Sequence, residues 1–192
     1  DSWMTTNSLA AELLVITNIA FTDPNLELAV RDRLGIPSAP LTLTDLASLT
    51  DLDADWLGIT NLSGLEAGIN LTGLNLAGNR AIADFSPVTF LPALRSLAMN
   101  ECELTDLSWL ARTPALTHLG VNNNLLQDLA PLQRLTGLQY LWANENHFTD
   151  IAPLTNLLAL NEVHIARNHL NTNDAAIVAV VNTLVSRAVL LE

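Results

Sequence analysis

The sequence predicts an α/β repeat solenoid, a right-handed arc with a parallel sheet on its concave side and short 3-10 or helical turns on its convex side. Three observations predict it. Leucines recur at a fixed internal spacing, the apolar residues are mostly aliphatic, and helix-like stretches flank the repeated region. Of the 192 residues, 49% are hydrophobic but only 5% are aromatic. This composition suits a layered repeat better than a mixed globular core.

The repeat consists of segments that open with the spacing LxxLxL or a close variant of it. Five consecutive segments begin at Leu71, Leu94, Leu116, Leu138 and Leu160, and a degenerate copy begins at Leu49. The complete segments are 22 residues long, except that the one from Leu71 has 23 because of an insertion near Arg80 and Ala81. A period of this length indicates a solenoid in which each segment forms one coil.

Each coil is predicted to contain a strand, a polar turn and a short convex turn. Alternating apolar residues in LxxLxL predict a strand with one buried face. An asparagine stands where the chain leaves the strand, and we expect its buried amide to bond backbone groups of its own and the adjacent coil. Cys102 takes this place in one coil, which predicts a softer turn there. The asparagines are Asn79, Asn124, Asn146 and Asn168, and the predicted N-caps of the convex turns are Asp84, Asp106, Asp128 and Asp150.

The full pattern, LxxLxLxxNxLxDLxPLxxLxx, resembles the 22-residue leucine-rich repeat of the bacterial, internalin-like kind. The resemblance covers roughly residues 41 to 173. The preceding stretch FTDPNLELAVRDRLGIPSAPLTLTDLASLTDLDA also resembles the helical cap before such repeats in bacterial cell-surface or secreted proteins. The resemblance implies a bacterial protein, secreted or at the cell surface, that acts in adhesion or recognition.

Both ends of the repeat array are predicted to be closed by helical caps. We divide the chain into a lead-in segment at 1–20, an N-terminal helical cap with a first half-coil at 21–48, repeats at 49–173, and a C-terminal capping helix with a short strand at 174–192. Within the lead-in region, LLVITNIAF is either an edge strand or irregular. The predicted first helix has Asp23 as N-cap, Pro24 as first residue and Gly35 as stop. The predicted C-terminal helix is amphipathic through Ile177, Val180, Val181, Leu184 and Val185.

The charge pattern limits the classes of partner. The formal net charge is −12, and all eight basic residues are arginines. Such a surface repels phosphate backbones and anionic headgroups, so we expect no nucleic acid binding and no membrane-surface binding. No apolar run reaches the roughly 18 residues of a membrane span, so we expect no direct membrane insertion. The single cysteine excludes an intramolecular disulfide and leaves the compartment open.

Motifs of catalysis are missing from the sequence. It contains no nucleophile elbow, no phosphate loop, no HExxH and no spaced Cys/His set. An open concave sheet gives a histidine–carboxylate group no water-excluding pocket. His147 and His169 fall at the same place in adjacent coils, but two ligands alone make a poor metal site. The sequence therefore predicts a protein that is not an enzyme and that holds no cofactor and no metal.

The concave side chains are predicted to be those at positions 3, 5 and 7 of each segment, because strand residues alternate between the two faces. Tyr140 and Trp142 share one such strand. Large aromatics with polar neighbours are the usual anchors of a binding interface. The predicted partner-binding patch comprises His118, Asn122, Tyr140, Trp142, Asn144, Glu162 and His164, and a secondary acidic strip comprises Asp51, Asp53 and Asp55.

The predicted function is recognition of a macromolecule, foremost a protein, on the concave sheet of a monomeric domain that can belong to a larger polypeptide. Three alternatives stay open. One is an intracellular scaffold or regulatory subunit, resembling the eukaryotic phosphatase regulators with 22-residue repeats, which would be cytoplasmic. Another is a carbohydrate-binding module, because aromatics on a flat sheet also stack on sugar rings. The last is a structural spacer within a larger protein.

Overall fold

Seven parallel strands form one open sheet in chain order, in a computed structural model that describes residues 18–192. The strands are β1 (Asp51–Asp53), β2 (Gly73–Asn75), β3 (Ser96–Ala98), β4 (His118–Gly120), β5 (Tyr140–Trp142), β6 (Glu162–His164) and β7 (Leu190–Leu191). Short 3-10 helices connect the repeats at Leu65–Ala67, Ser86–Phe90, Ser108–Arg112, Ala130–Arg134 and Ala152–Asn156. The predicted α/β solenoid is confirmed.

The core is a stack of leucine layers because each coil contributes the same inward positions. Leu97, Leu119 and Leu141 pair in register on β3, β4 and β5, and all three are buried. Phe148, which replaces a leucine after the strand of its coil, is the largest fully buried side chain among residues 18–192. The strands are only two or three residues long, so most of the burial comes from one coil packing on the next.

The buried asparagines connect adjacent coils, as predicted. The Asn124 amide nitrogen donates to the carbonyls of Met99 and Val121, at 2.9 and 3.0 Å. Its Oδ1 accepts from the backbone N–H groups of Cys102 and Leu104, at 3.0 and 2.9 Å. One side chain therefore satisfies backbone groups that the turn would otherwise bury without partners.

Cys102 retains one of these bonds. Its thiol lies 3.2 Å from the carbonyl oxygen of Leu76, the same inter-coil carbonyl position that the other coils reach with an asparagine amide. The thiol has no counterpart to the amide oxygen. Burial raises the pKa of the thiol, although nearby backbone hydrogen bonds oppose the shift, so the group is a neutral donor. The softer turn expected here stays a prediction.

The acidic residues before the convex turns act one position earlier than predicted. Asp106, Asp128 and Asp150 each accept a hydrogen bond from the N–H two residues ahead, at 2.7 to 3.1 Å. The N-cap itself is the intervening apolar residue, which makes no side-chain cap. The leucine or isoleucine at the N-cap is buried instead, so the layer of the core sets where the short helix begins.

Helical caps lie at both ends of the sheet. Helix α1 (Pro24–Leu34) has Asp23 as N-cap and ends at Gly35, which adopts a φ of 68° that only glycine accepts easily. Helix α2 (Leu43–Ala47) precedes β1 and carries a capping box between Thr42 and Asp45.

Helix α3 (Ala175–Ser186) buries a narrower face than predicted. Ile177, Val180 and Leu184 are buried, but Val185 is 58% exposed, because only one side of the helix packs on the last coil. The predicted lead-in lies outside the described residues up to position 17. Residues 18 to 21 are irregular, and the N–H of Ile19 donates to Leu41 at 2.8 Å.

Candidate binding surface on the concave sheet

Strand register places the predicted patch on one face of the sheet. His118 of β4 pairs with Tyr140 of β5, which pairs with Glu162 of β6. Trp142 pairs with His164 in the adjacent column. The residues between them, such as Leu141, are buried on the opposite face. Three neighbouring strands therefore bring these five side chains together.

Four of these side chains form a continuous row of rings. His118 stacks on Tyr140 with 4.5 Å between ring centroids and 18° between planes. Tyr140 and Trp142 are nearly parallel, with 5.9 Å between centroids and 11° between planes. Trp142 lies 6.2 Å from His164. We call His118, Tyr140, Trp142 and His164 the ring row.

The two ends of the ring row are held by polar contacts. His164 Nε2 lies 2.6 Å from Glu162 Oε1, and His164 Nδ1 lies 3.2 Å from Glu192 Oε2. His118 Nδ1 lies 2.8 Å from the hydroxyl oxygen of Thr117. These contacts fix the orientations of both imidazoles, so the row has a defined geometry before any partner arrives.

Asn122 and Asn144 have a structural role that sequence reasoning missed. Each asparagine Oδ1 accepts a hydrogen bond from the backbone N–H one coil further on, at 2.7 to 2.8 Å. The pairs are Asn100 with Asn122, Asn122 with Asn144, and Asn144 with Ala166. This ladder of side-chain hydrogen bonds connects adjacent coils two residues after each strand ends, and so extends the pairing of the sheet. Within the part of the chain that the structure describes, the Nδ2 groups of Asn122 and Asn144 donate no hydrogen bond, so they remain for a partner. The asparagines recur exactly one coil apart, which is the signal that could have indicated the ladder.

The acidic strip lies on β1 and directly after it. Asp51 and Asp53 are exposed, and Asp55 is half-buried. Asp53 Oδ1 accepts from Asn75 Nδ2 at 2.8 Å, and Asp51 Oδ2 accepts from the Thr50 hydroxyl at 3.0 Å. Among residues 18–192, none of the three carboxylates has an arginine or histidine within ion-pair distance.

Trp56 was missed as a surface residue. It is 59% exposed at the rim of the sheet, beside the acidic strip, and its φ is 54°. The indole lies against Gly78 of the next coil, where an added Cβ would come within 2.3 Å of the ring. The Arg80 guanidinium lies 6.0 Å from the indole centroid and pairs with Glu101 at 3.0 Å. In the sequence, Gly78 stands one repeat after Trp56, and this pairing of a glycine with a tryptophan could have indicated that the indole packs there.

Three solved structures resemble this chain along most or much of its length. Internalin C2 of Listeria monocytogenes has a TM-score of 0.68 and 26% identity, over 90% of this chain and 83% of that one. A second Listeria monocytogenes internalin, inlF, has a TM-score of 0.64 and 27% identity, over 85% and 54%. A leucine-rich-repeat protein of Leptospira interrogans has a TM-score of 0.62 and 26% identity, over 67% of this chain and 34% of that one.

The chain has an internalin-like leucine-rich-repeat fold. No protein-family model matches the sequence, and no curated protein matches it either. The internalin-like domain spans about half of inlF, and 34% of the Leptospira chain.

The histidine pair of the internalin-like domain lies away from the concave sheet. His147 and His169 stack with 5.0 Å between ring centroids. Within residues 18–192, no group of three or more His, Cys, Asp or Glu side chains is arranged to hold a metal ion. Within the same residues, no helix has both the length and the apolar character needed to cross a bilayer.

Proposed function

We propose that this domain is a non-enzymatic recognition module that binds a protein partner on its concave sheet, around the ring row, Glu162 and the amide groups of Asn122 and Asn144. The observation that carries the proposal is the ring row itself. It presents Tyr140 and Trp142, two residue types enriched among binding hot spots, side by side on a rigid sheet.

Preorganisation supports a binding role. Stacking and the contacts to Thr117 and Glu162 already order the side chains, so association costs less rotamer entropy than it would on a mobile surface. The polar groups at both ends of the row can set the orientation of a partner, while the rings contribute apolar area.

The ring geometry favours a protein over a glycan. A sugar packs against an exposed ring face, but the near-parallel planes of His118, Tyr140 and Trp142 turn their faces toward each other. We therefore expect a ligand to meet the ring edges more than the ring faces. Such edges suit aliphatic and aromatic protein side chains.

The setting that we propose is bacterial, secreted or at the cell surface, with a role in adhesion or recognition, and the domain acts as a monomer. The support is the internalin-like fold, shared with proteins of Listeria monocytogenes and Leptospira interrogans. Cell fractionation with an antibody to the domain tests the location, and light scattering on the purified domain tests the monomer. Recovery from the cytoplasm alone, or a stable dimer, would contradict these two points.

The test of function is affinity capture of a partner by the native domain and by a Tyr140→Ala/Trp142→Ala variant that is confirmed to be folded. We expect the captured protein to bind the variant at least about tenfold more weakly, as loss of two central aromatics implies. The matched control is Phe90→Ala/Leu158→Ala, which removes two large apolar side chains that are 60% and 78% exposed outside the concave sheet.

Equal loss of affinity in both double variants would indicate nonspecific adhesion to apolar surface. Unchanged affinity in the Tyr140→Ala/Trp142→Ala variant would place the interface elsewhere and reject the proposed site. Binding to a glycan array that depends on Trp142 would instead support the carbohydrate alternative.

A further inference from the structure

We infer that the concave sheet recognises an extended protein segment that carries a basic side chain and, about six residues away, an apolar side chain. The inference rests on the proposed function and adds the chemistry of the partner. The basic side chain lies over Asp51 and Asp53, and the apolar side chain packs on the edges of Tyr140 and Trp142.

The first argument is charge. The concave positions of β1 to β6 and the residues just after them carry four carboxylates and two histidines but no arginine, and the chain has no lysine. All eight arginines stand at other positions. A surface with this sign attracts a cationic segment and repels an anionic one.

The carboxylates differ in availability, which locates the basic residue. Glu162 is paired with His164 at 2.6 Å. Asp51 and Asp53 are exposed, and their side-chain contacts are to the neutral groups of Thr50 and Asn75. Arg33 Nε donates to the backbone carbonyl of Asp51 at 3.0 Å, but within residues 18–192 neither carboxylate forms an ion pair. A guanidinium or ammonium group therefore finds two unneutralised carboxylates on β1.

The second argument is shape. Small or short side chains cover the sheet between β1 and the ring row, namely Gly73, Asn75, Ser96 and Ala98. Ser96 is exposed, and the others are partly exposed. A peptide backbone can approach the sheet closely along this floor, with acidic side chains at one end and rings at the other.

The third argument is distance. The floor separates β1 from β5 by four strand spacings, about 19 Å at ~4.8 Å each. An extended chain covers this distance in about six residues at ~3.3 Å each. Six is an even number, so both side chains point to the same face of the segment, toward the sheet. A helix would need about thirteen residues for the same distance.

The test uses synthetic peptides, each about a dozen residues long, with a threonine and serine background, one arginine and one leucine. The separation between the arginine and the leucine varies from about two to about ten residues, in both chain directions. Matched peptides carry a glutamate in place of the arginine. Fluorescence anisotropy measures the affinity of each peptide for the native domain.

Three folded variants assign the contacts. Asp51→Asn/Asp53→Asn removes the acidic end, and Tyr140→Ala/Trp142→Ala removes the apolar end. Asp32→Asn/Glu103→Gln is the control, because it removes the same number of charges from exposed residues outside the concave sheet.

We expect the affinity to be highest near a separation of six residues and to be negligible for the glutamate peptides. The Asp51→Asn/Asp53→Asn variant should bind the best peptide at least about fivefold more weakly, since each exposed ion pair contributes modestly. The control pair should bind it nearly as well as the native domain does. Added salt should weaken native binding more than binding by the Asp51→Asn/Asp53→Asn variant.

Several results would overturn the inference. They are no binding by any arginine peptide, affinity that ignores the separation, and equal losses in Asp51→Asn/Asp53→Asn and in the control. If a captured protein still depends on Tyr140 and Trp142 in any of these cases, the proposed function stands and only the partner chemistry fails. If peptide binding needs Asp51 and Asp53 but not the two aromatics, the ring row fails as the site.

Discussion

Replacing Asn124 by alanine should destabilise the domain more than the same change at Asn168, although both residues occupy the same repeat position. Asn124 is buried and bonds five backbone groups, the carbonyls of Met99, Val121 and Asn122 and the N–H groups of Cys102 and Leu104. Alanine removes this partner from all five. The Val121 and Asn122 carbonyls keep other donors, Asn146 Nδ2 and the Glu101 N–H, so three groups lose the partner outright. Each unsatisfied buried group costs about 1–3 kcal/mol before relaxation.

Relaxation of the turn and entry of water recover part of this cost, and single substitutions rarely exceed about 4–5 kcal/mol. We therefore expect the Asn124→Ala variant to lose about 3–4 kcal/mol of unfolding free energy. Asn168 is only half-buried, and its Oδ1 has no hydrogen-bond partner among the described residues. Its amide nitrogen bonds Ala143 and Ile165, so we expect a loss of about 1–2 kcal/mol.

The assay is urea unfolding followed by circular dichroism, with the Tm as a second measurement. A domain of this size shifts its Tm by about 2–4 °C per kcal/mol, so the two variants should separate by several degrees. The Asn124→Asp variant keeps the side-chain shape but turns an acceptor toward the Met99 and Val121 carbonyls. It should be at least as unstable as Asn124→Ala. Equal losses at positions 124 and 168, or a stable Asn124→Asp variant, would refute the argument that the amide bonds hold the coils together.

Three further predictions concern single residues. Burial raises the pKa of Asp23, but hydrogen bonds from Thr60 and from the start of α1 outweigh burial, so the pKa of the folded state is lowered. The contribution of Asp23 to stability should therefore be present above the unfolded pKa of about 3.9 and be lost as pH falls through the folded pKa. In urea unfolding, Asp23→Ala should cost about 1–2 kcal/mol at neutral pH and should flatten this acid dependence. The Cys102 thiol, whose pKa is raised chiefly by burial, should react with a thiol reagent such as DTNB only after denaturant unfolds the domain; rapid reaction of the native protein would contradict its burial. Gly78→Ala should destabilise the domain by about 1–3 kcal/mol and alter its tryptophan fluorescence, because Gly78 has a φ of 75° and the Trp56 indole occupies the space of the added methyl. An unchanged Tm and an unchanged fluorescence spectrum would show that the indole does not lie there.

The sequence predicted the coils because their chemistry is local and periodic. The leucines at positions 4 and 6 of LxxLxL point to one face of a strand, and an interval of 22 residues brings the same position of the next coil beside each of them. That is why the pairing of Leu119 with Leu141, and of Tyr140 with Glu162, followed directly from the spacing. The asparagine turns were predictable for the same reason, since any closed coil must satisfy those backbone groups.

The predictions that needed correction depended on competition between neighbours. Asp106 was expected at the N-cap, but the buried Leu107 takes that position because core packing sets where the short helix begins. Val185 has helical apolar spacing, yet it is exposed because only one side of α3 faces the last coil. Spacing indicates which residues share a face, but it does not show how wide the face of the neighbouring coil is.

The sequence by itself determined the architecture, the strand register and the two ends of the concave surface, acidic on β1 and aromatic on β5. Only the tertiary structure decided how those side chains are used. It turned the ring planes of Tyr140 and Trp142 parallel, engaged the Asn122 oxygen with the next coil, and laid Trp56 over Gly78. The physical reason is that each of these outcomes depends on rotamers and backbone angles chosen jointly by residues about 22 positions apart, whereas a repeat pattern records only which residues become neighbours.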